Sequence, residues 1–135
     1  MPAFKDESEV YDYVGGIFEQ AVADPVLGAK FAESGVVLRL NYTDPDASLT
    51  VDMPRREVHT GDSGPTPNVE MFMSADTGNR FWLGKVNLTL AMAKGQVKAK
   101  GSVPKLLKLV PSAKSLFPRY RAMLEENGRT DLLSA

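Results

Sequence analysis

The chain has 135 residues, is 43% hydrophobic and 24% charged, and carries a net charge of −1. A chain of this size predicts one domain over residues 1–135, burying about two-thirds of its unfolded surface. It contains no cysteine, which excludes disulfides, thiol catalysis and cysteine-based metal sites.

The small net charge conceals an asymmetry. Residues 1–78 hold fourteen acids and five bases, residues 79–121 hold ten bases and no acid, and residues 122–135 hold three acids and one base. Charge runs are usually solvated faces, and two opposite halves can also face each other in a fold. A basic, apolar-interleaved segment is in addition a surface for an anionic partner such as a membrane. Nucleic acid is not predicted, because the segment has no RNA-binding signature and no zinc-finger spacing. The start, Met1-Pro-Ala-Phe-Lys-Asp-Glu, has no basic stretch leading into an apolar run. No stretch is apolar for long enough to span a membrane. Together with the lack of cysteine, this predicts a cytoplasmic protein.

Asp6 to Ala23 predicts a helix, with Val10, Val14, Ile17, Phe18, Ala21 and Val22 on one face. Asp6 or Ser8 is its cap, and Gly15-Gly16 in its middle implies either close packing or room for a ligand. Asp24 caps a second helix with Pro25 at its first position, stopped by Gly35. Val36–Thr43 alternates with Leu38, Leu40 and Tyr42 inward. Ser48–Met53 repeats the pattern, with Thr50 and Asp52 outward. Glu57–Thr60 and Asn68–Ala75 complete an expected antiparallel meander of about four strands, the last placing Val69, Met71 and Met73 inward. Gly61 to Pro67 reads as a loop.

Asp76 is the predicted cap of a short helix bearing Phe81, Trp82 and Leu83, stopped by Gly84. Asn87 caps another, through Leu88, Leu90, Ala91 and Met92, stopped by Gly95. Gln96–Lys100 predicts a last strand with Val97 and Ala99 inward. That small inward face leaves space for a helix or a ligand to fill. Val103–Val110 predicts a short helix closed by Pro111. Ser112–Glu126 predicts a final amphipathic helix, in which Pro118 marks a kink or the true start. The tail after Gly128 is expected to be loose. The layout is α+β: a single curved, mostly antiparallel sheet of about five strands covered by helices.

The residues offer little chemistry. His59 is the only histidine, and no Gly-x-Ser-x-Gly elbow, phosphate loop or dinucleotide fingerprint is present. Gly61-Asp-Ser-Gly64 sits in a turn-rich loop, so an esterase built on His59 and Ser63 is disfavoured. Asp44 and Asp46 lack the glycine and distal glutamate of a calcium loop. No catalytic residue, metal site or cofactor is predicted. What remains is apolar surplus: Met53, Met71, Met73, Met92 and Met123, a flexible side chain suited both to ordinary cores and to sites of variable apolar shape.

Asp76 to Gly101, followed by Val103-Pro-Lys-Leu-Leu-Lys-Leu-Val110, resembles the sterol carrier protein 2 family. The matching features are Asp76, Phe81, Leu83, Gly84-Lys85, Asn87, Ala91, Gly95, Val97, Gly101, Leu106, Leu107 and Lys108. The upstream helix-then-strand order also fits. The resemblance implies an apolar tunnel between sheet and helices, with the C-terminal helices as a lid. It implies non-catalytic binding and transfer of a sterol, fatty acid, acyl-CoA or related lipid. Phe81, Leu83, Leu88, Met92, Val97, Leu106 and Leu109 carry over as ligand-binding positions. Face periodicity adds Met71, Met73, Leu116, Tyr120 and Met123, and the small strand face adds Ala99. The alternative is a filled-core accessory module for a separate lipid-metabolic enzyme. The last residues, Leu132-Leu-Ser-Ala135, do not match a peroxisomal address.

Overall fold

A computed structural model of the chain describes residues 3–135; Met1 and Pro2, which open the stretch read as lacking a leader, lie outside the described residues. The first predicted helix forms in three parts: α1 (Glu7–Val10), a π-helical turn (Tyr11–Gly15) and α2 (Gly16–Ala23). Asp6 is the cap, its carboxylate accepting from the Glu9 amide at 3.1 Å. Gly16 of the glycine pair serves close packing. A Cβ on Gly16 would stand 3.3 Å from the Met123 sulfur, so the C-terminal helix seats directly on this turn.

In α3 (Pro25–Ser34), the Asp24 carboxylate accepts from the amides of Val26 and Leu27, both at 2.9 Å. These are two of the donors that a helix start leaves unpaired.

Five strands follow: β1 (Val37–Thr43), β2 (Ala47–Asp52), β3 (Glu57–Thr60), β4 (Val69–Ser74) and, later, β5 (Lys98–Gly101). They form one open sheet in the order β3-β2-β1-β4-β5. Three pairings are antiparallel, but β1 and β4 run parallel. The expected four-stranded meander is therefore corrected to a mixed sheet. Asn68 explains the change. Its side-chain oxygen accepts from the Val37 amide at 2.9 Å and its amide nitrogen donates to the Gly35 carbonyl at 2.8 Å. The start of β4 is thereby tied beside the start of β1, and the two strands leave in the same direction.

Alternation sets the two faces. Leu38, Leu40, Leu49, Val51, Val69 and Met71 are buried on the inner face. Thr50 and Asp52 point to the other face as expected, yet both are buried. The loop after β3 crosses there, and a Cβ on Gly64 would fall 2.5 Å from Thr50 Cβ. Asp52 accepts from the Arg55 amide in the turn it begins.

The helices α4 (Ala75–Trp82) and α5 (Leu88–Ala93) pack on the inner face. The cap of α4 is Ser74, accepting from the Thr77 amide at 3.1 Å, not Asp76, whose carboxylate instead accepts from the Ala3 amide. Asn87 caps α5 as expected. The predicted helix over Val103–Val110 is shorter: α6 (Val103–Leu107) ends, and α7 (Val110–Ala113) begins with Pro111 in its first turn. Proline there starts a helix instead of closing one, since its missing N–H costs nothing in the first turn. A 3₁₀ turn (Lys114–Leu116) leads into α8 (Phe117–Glu126), with Pro118 in its first turn. The tail is not loose. It folds as α9 (Thr130–Leu133), burying Leu132 completely.

Candidate functional site

Between the inner face of β1 and β4 and the helices α4 to α7 lies an apolar cavity. It offers about 570 Å³ of space unfilled by atoms, its open mouth included. Leu38, Leu40 and Tyr42 of β1 and Met71 and Met73 of β4 form the sheet wall. Strand alternation places them there, since every second side chain faces the same way. Gly78, Phe81 and Trp82 of α4 and Leu88 of α5 form one side. Leu106, Leu109 and Val110 form the cover, and Phe18, Phe31 and Met53 complete the wall.

An aromatic cluster frames the cavity. Trp82 meets Phe18 and Phe81 edge-on, each at 5.2 Å between ring centres, and Phe117 stands edge-on to Phe81 at 5.6 Å. Edge-to-face contacts of this kind fix ring orientation beyond simple burial. Behind the cluster, the Tyr120 hydroxyl donates to the Asn79 side-chain oxygen at 2.6 Å, and the Asn79 amide donates to the Leu132 carbonyl at 3.0 Å. Burial pushes the Tyr120 and Tyr42 phenols well above their ordinary range. Both remain protonated donors at neutral pH.

The thirteen positions named from sequence divide cleanly. Met71, Met73, Phe81, Leu88, Leu106 and Leu109 come together on the cavity wall. Leu83, Val97, Leu116 and Tyr120 are buried in the core outside that wall. Met92 and Ala99 are half-buried against the core, and Met123 packs over Gly16. Leu116, Tyr120 and Met123 stand away from that wall because the C-terminal helix packs on the first helix and on α4, not across the sheet. Phe18, Phe31, Leu38, Leu40, Tyr42, Met53, Gly78, Trp82 and Val110 line the cavity and were not among the named positions. Strand alternation had already turned Leu38, Leu40 and Tyr42 inward, and that signal alone would have found the sheet wall.

A second, more polar cleft adjoins the first and shares Phe81, Leu88 and Val110 with it. Lys85 and Lys114 line this cleft, and no carboxylate does. Lys85 also donates to the backbone oxygen of Ala135 at 2.8 Å. Of the ten bases in 79–121, Arg119 alone forms an ion pair among the described residues, with Asp24 at 2.8 Å. The basic segment is thus a largely solvated surface and not the counterpart of the acidic half.

His59 lies on β3 with its Nε2 3.4 Å from a Glu57 carboxylate oxygen, and the Ser63 hydroxyl donates to the Thr60 carbonyl. Each is occupied locally. Among the described residues no three His, Cys, Asp or Glu side chains cluster to hold a metal ion, and no helix is long and apolar enough to cross a membrane.

The model of the SCP-2 sterol transfer family matches residues 17–114, a span holding all of the sheet and the entire cavity cover. No curated protein matches the chain significantly. Among solved structures, sterol carrier protein domain 2 of Helicoverpa armigera superposes with a TM-score of 0.65 at 18% identity, covering 79% of this chain and 89% of its own. Sterol carrier protein 2 of Yarrowia lipolytica, in its apo form, gives 0.61 at 19% identity, covering 87% and 95%. Sterol carrier protein 2 of Aedes aegypti, in complex with the C16 fatty acid palmitate, gives 0.58 at 18% identity, covering 81% and 94%. At such identities the likeness is one of fold.

Proposed function

The chain belongs to the SCP-2 sterol transfer family, and from that premise we propose that it binds a hydrophobic small molecule in the cavity under Leu106, Leu109 and Val110. It hands the molecule on without chemical change. The observation that carries this reading is the wall itself: methionine, leucine and aromatic side chains from both layers meet around unfilled space. Burying ten methylenes there would contribute on the order of 8 kcal/mol at about 0.8 kcal/mol each. Part of this offsets the cost of immobilising the ligand.

The cavity is open at its mouth, and a sterol or fatty acid enters there by displacing the cover. The segment α6–α7 suits that role, being two short helices without side-chain caps. The adjoining cleft with Lys85 and Lys114 gives the mouth a positive potential, which favours transient contact with an anionic membrane or an anionic enzyme surface.

The largely solvated basic segment also gives weight to a second reading, a filled-core accessory module that docks on a lipid-metabolic enzyme. Native mass spectrometry of the purified protein, followed by extraction and identification of bound lipid, separates the two. A carrier shows one lipid per chain, retained or loaded from vesicles. A chain that stays ligand-free in the presence of sterol, fatty acid and acyl-CoA contradicts the carrier reading.

A further inference from the structure

Tyr42 occupies an unusual position on the cavity wall. It is the last inward residue of β1, 5% exposed, and its ring lies against the bare backbone of Gly78. A Cβ at Gly78 would stand 2.7 Å from the Tyr42 ring. The other well-buried phenol, Tyr120, donates to Asn79. Among the described residues no hydrogen bond satisfies the Tyr42 hydroxyl, yet the one fully buried side-chain polar atom without a partner is Thr50 Oγ1 on the other face of the sheet, so the Tyr42 oxygen keeps a small accessible area on the cavity wall. A hydroxyl that faces an apolar space without a partner is costly, and native structures rarely keep one without a use. The wall around it is otherwise hydrocarbon, sulfur and aromatic ring. The Trp82 indole N–H is the other polar side-chain group there, also without a partner among the described residues.

We propose that the Tyr42 hydroxyl is the specificity contact of the cavity, donating a hydrogen bond to an uncharged oxygen of the bound lipid. This rests on the cavity taking a lipid at all, and it narrows the class. A neutral oxygenated lipid, an alcohol or a carbonyl compound, satisfies the phenol and loses little on entering. A hydrocarbon leaves the phenol unpaired. An ionised carboxylate buried at this depth would have one or two neutral donors in place of its hydration shell, which is too few. The preferred ligand therefore places an alcohol or carbonyl oxygen inside the cavity, not only at its mouth.

Tyr42→Phe tests the assignment because it removes one oxygen and keeps the ring. Binding of dodecanol, methyl decyl ketone, dodecane and dodecanoate is followed through the emission of Trp82. The variant is expected to bind dodecanol and the ketone about tenfold more weakly than the natural chain, the size of one well-placed hydrogen bond. Its affinity for dodecane should be unchanged. The natural chain should prefer dodecanol to dodecanoate at neutral pH. Without ligand the variant should melt no lower than the natural chain, since no protein partner of the hydroxyl is lost. Equal binding of dodecanol by both chains, or an equal loss for all three uncharged probes, overturns the assignment. If both chains bind dodecane while neither distinguishes the oxygenated probes, lipid binding stands and the Tyr42 contact falls. If neither chain binds any probe, both readings fall.

Discussion

Asn79 joins three parts of the chain through one side-chain amide. It accepts from Tyr120 on α8 and donates to the Leu132 carbonyl on α9, all in the buried interior. Asn79→Ala would leave that hydroxyl and that carbonyl unpaired together, and a buried unpaired group costs roughly 1–3 kcal/mol. Urea unfolding should show a loss of at least that size, with Leu132 released first. Gly78, one residue earlier, matters for a different reason. Gly78→Ala would push a methyl into the Tyr42 ring, and overpacking of this kind costs about 1–3 kcal/mol. Thermal unfolding should register the loss, and ligand affinity should fall with it, because the displaced ring occupies cavity space. Asp24 supplies a pH dependence. Amides of α3 and then Arg119 hold its carboxyl below the ordinary carboxylate value. A lowered folded-state value means that its contribution is complete above the unfolded carboxylate value and is lost as pH falls through the folded one. In Asp24→Asn the acid limb of the stability curve should flatten, which a series of melts below neutral pH would show. Asp24 and Asn87 were legible as caps because their partners lie two or three residues away. Asn79 was not, because its partners lie 41 and 53 residues away. Asp76 was misread as a cap because Ser74, two positions earlier, satisfies the same helix start.

At the scale of elements, β1, β2 and β4 were legible from alternation with their inward residues correct, β3 was placed from the turn before it, and the last strand starts at Lys98, after the buried Val97. The sheet order was not legible. Alternation says which face a residue takes, and it says nothing about whether a strand returns beside its predecessor or crosses to the far side of β1. The crossing is set by the Asn68 amide and by the loop over Thr50. Gly101, where β5 ends beside β4, shows how close that edge is packed. Its φ is +90°, and a Cβ would fall 2.1 Å from the Asn68 carbonyl oxygen. Gly101→Ala therefore strains the backbone and forces β5 from β4. A loss of several kcal/mol or failure to fold is expected, and circular dichroism reads either. The cover behaves in the opposite way. With short helices and half-buried contacts, α6 and α7 should open below the global unfolding free energy. Amide exchange across 103–113 is expected to be faster than in β1 and β4 and to slow when lipid is bound. Equal exchange in the two regions, unmoved by ligand, would remove the cover from the account. The boundary between α6 and α7 escaped sequence reading because one proline residue serves equally well as a stop or a first-turn start.

For the whole molecule, the charge asymmetry was legible at once and its meaning was not. Ten bases without an acid allowed both a half that faces the acidic half and a surface for an anionic partner, and in the structure all ten are exposed and only Arg119 forms an ion pair among the described residues. The α+β class and the wall positions Met71 and Met73 follow from patterns visible in the chain, whereas the apolar cavity and the wall positions Phe81, Leu88, Leu106 and Leu109 came from the family resemblance. The wall contributed by Phe18 and Phe31 depends on how the first helices lean across the sheet, which no local pattern encodes, whereas Met53, just after β2, shares the inward phase of Leu49 and Val51. Trp82 offers the most direct test that this space is the ligand site. It is the only tryptophan and part of the cavity wall, and bromine quenches indole emission only at contact range. Titration with dibromostearate should quench Trp82 to saturation at one ligand per chain, and unbrominated stearate should restore the emission. Stearate bound at equilibrium while the brominated form leaves Trp82 unquenched would place the lipid elsewhere and contradict the account.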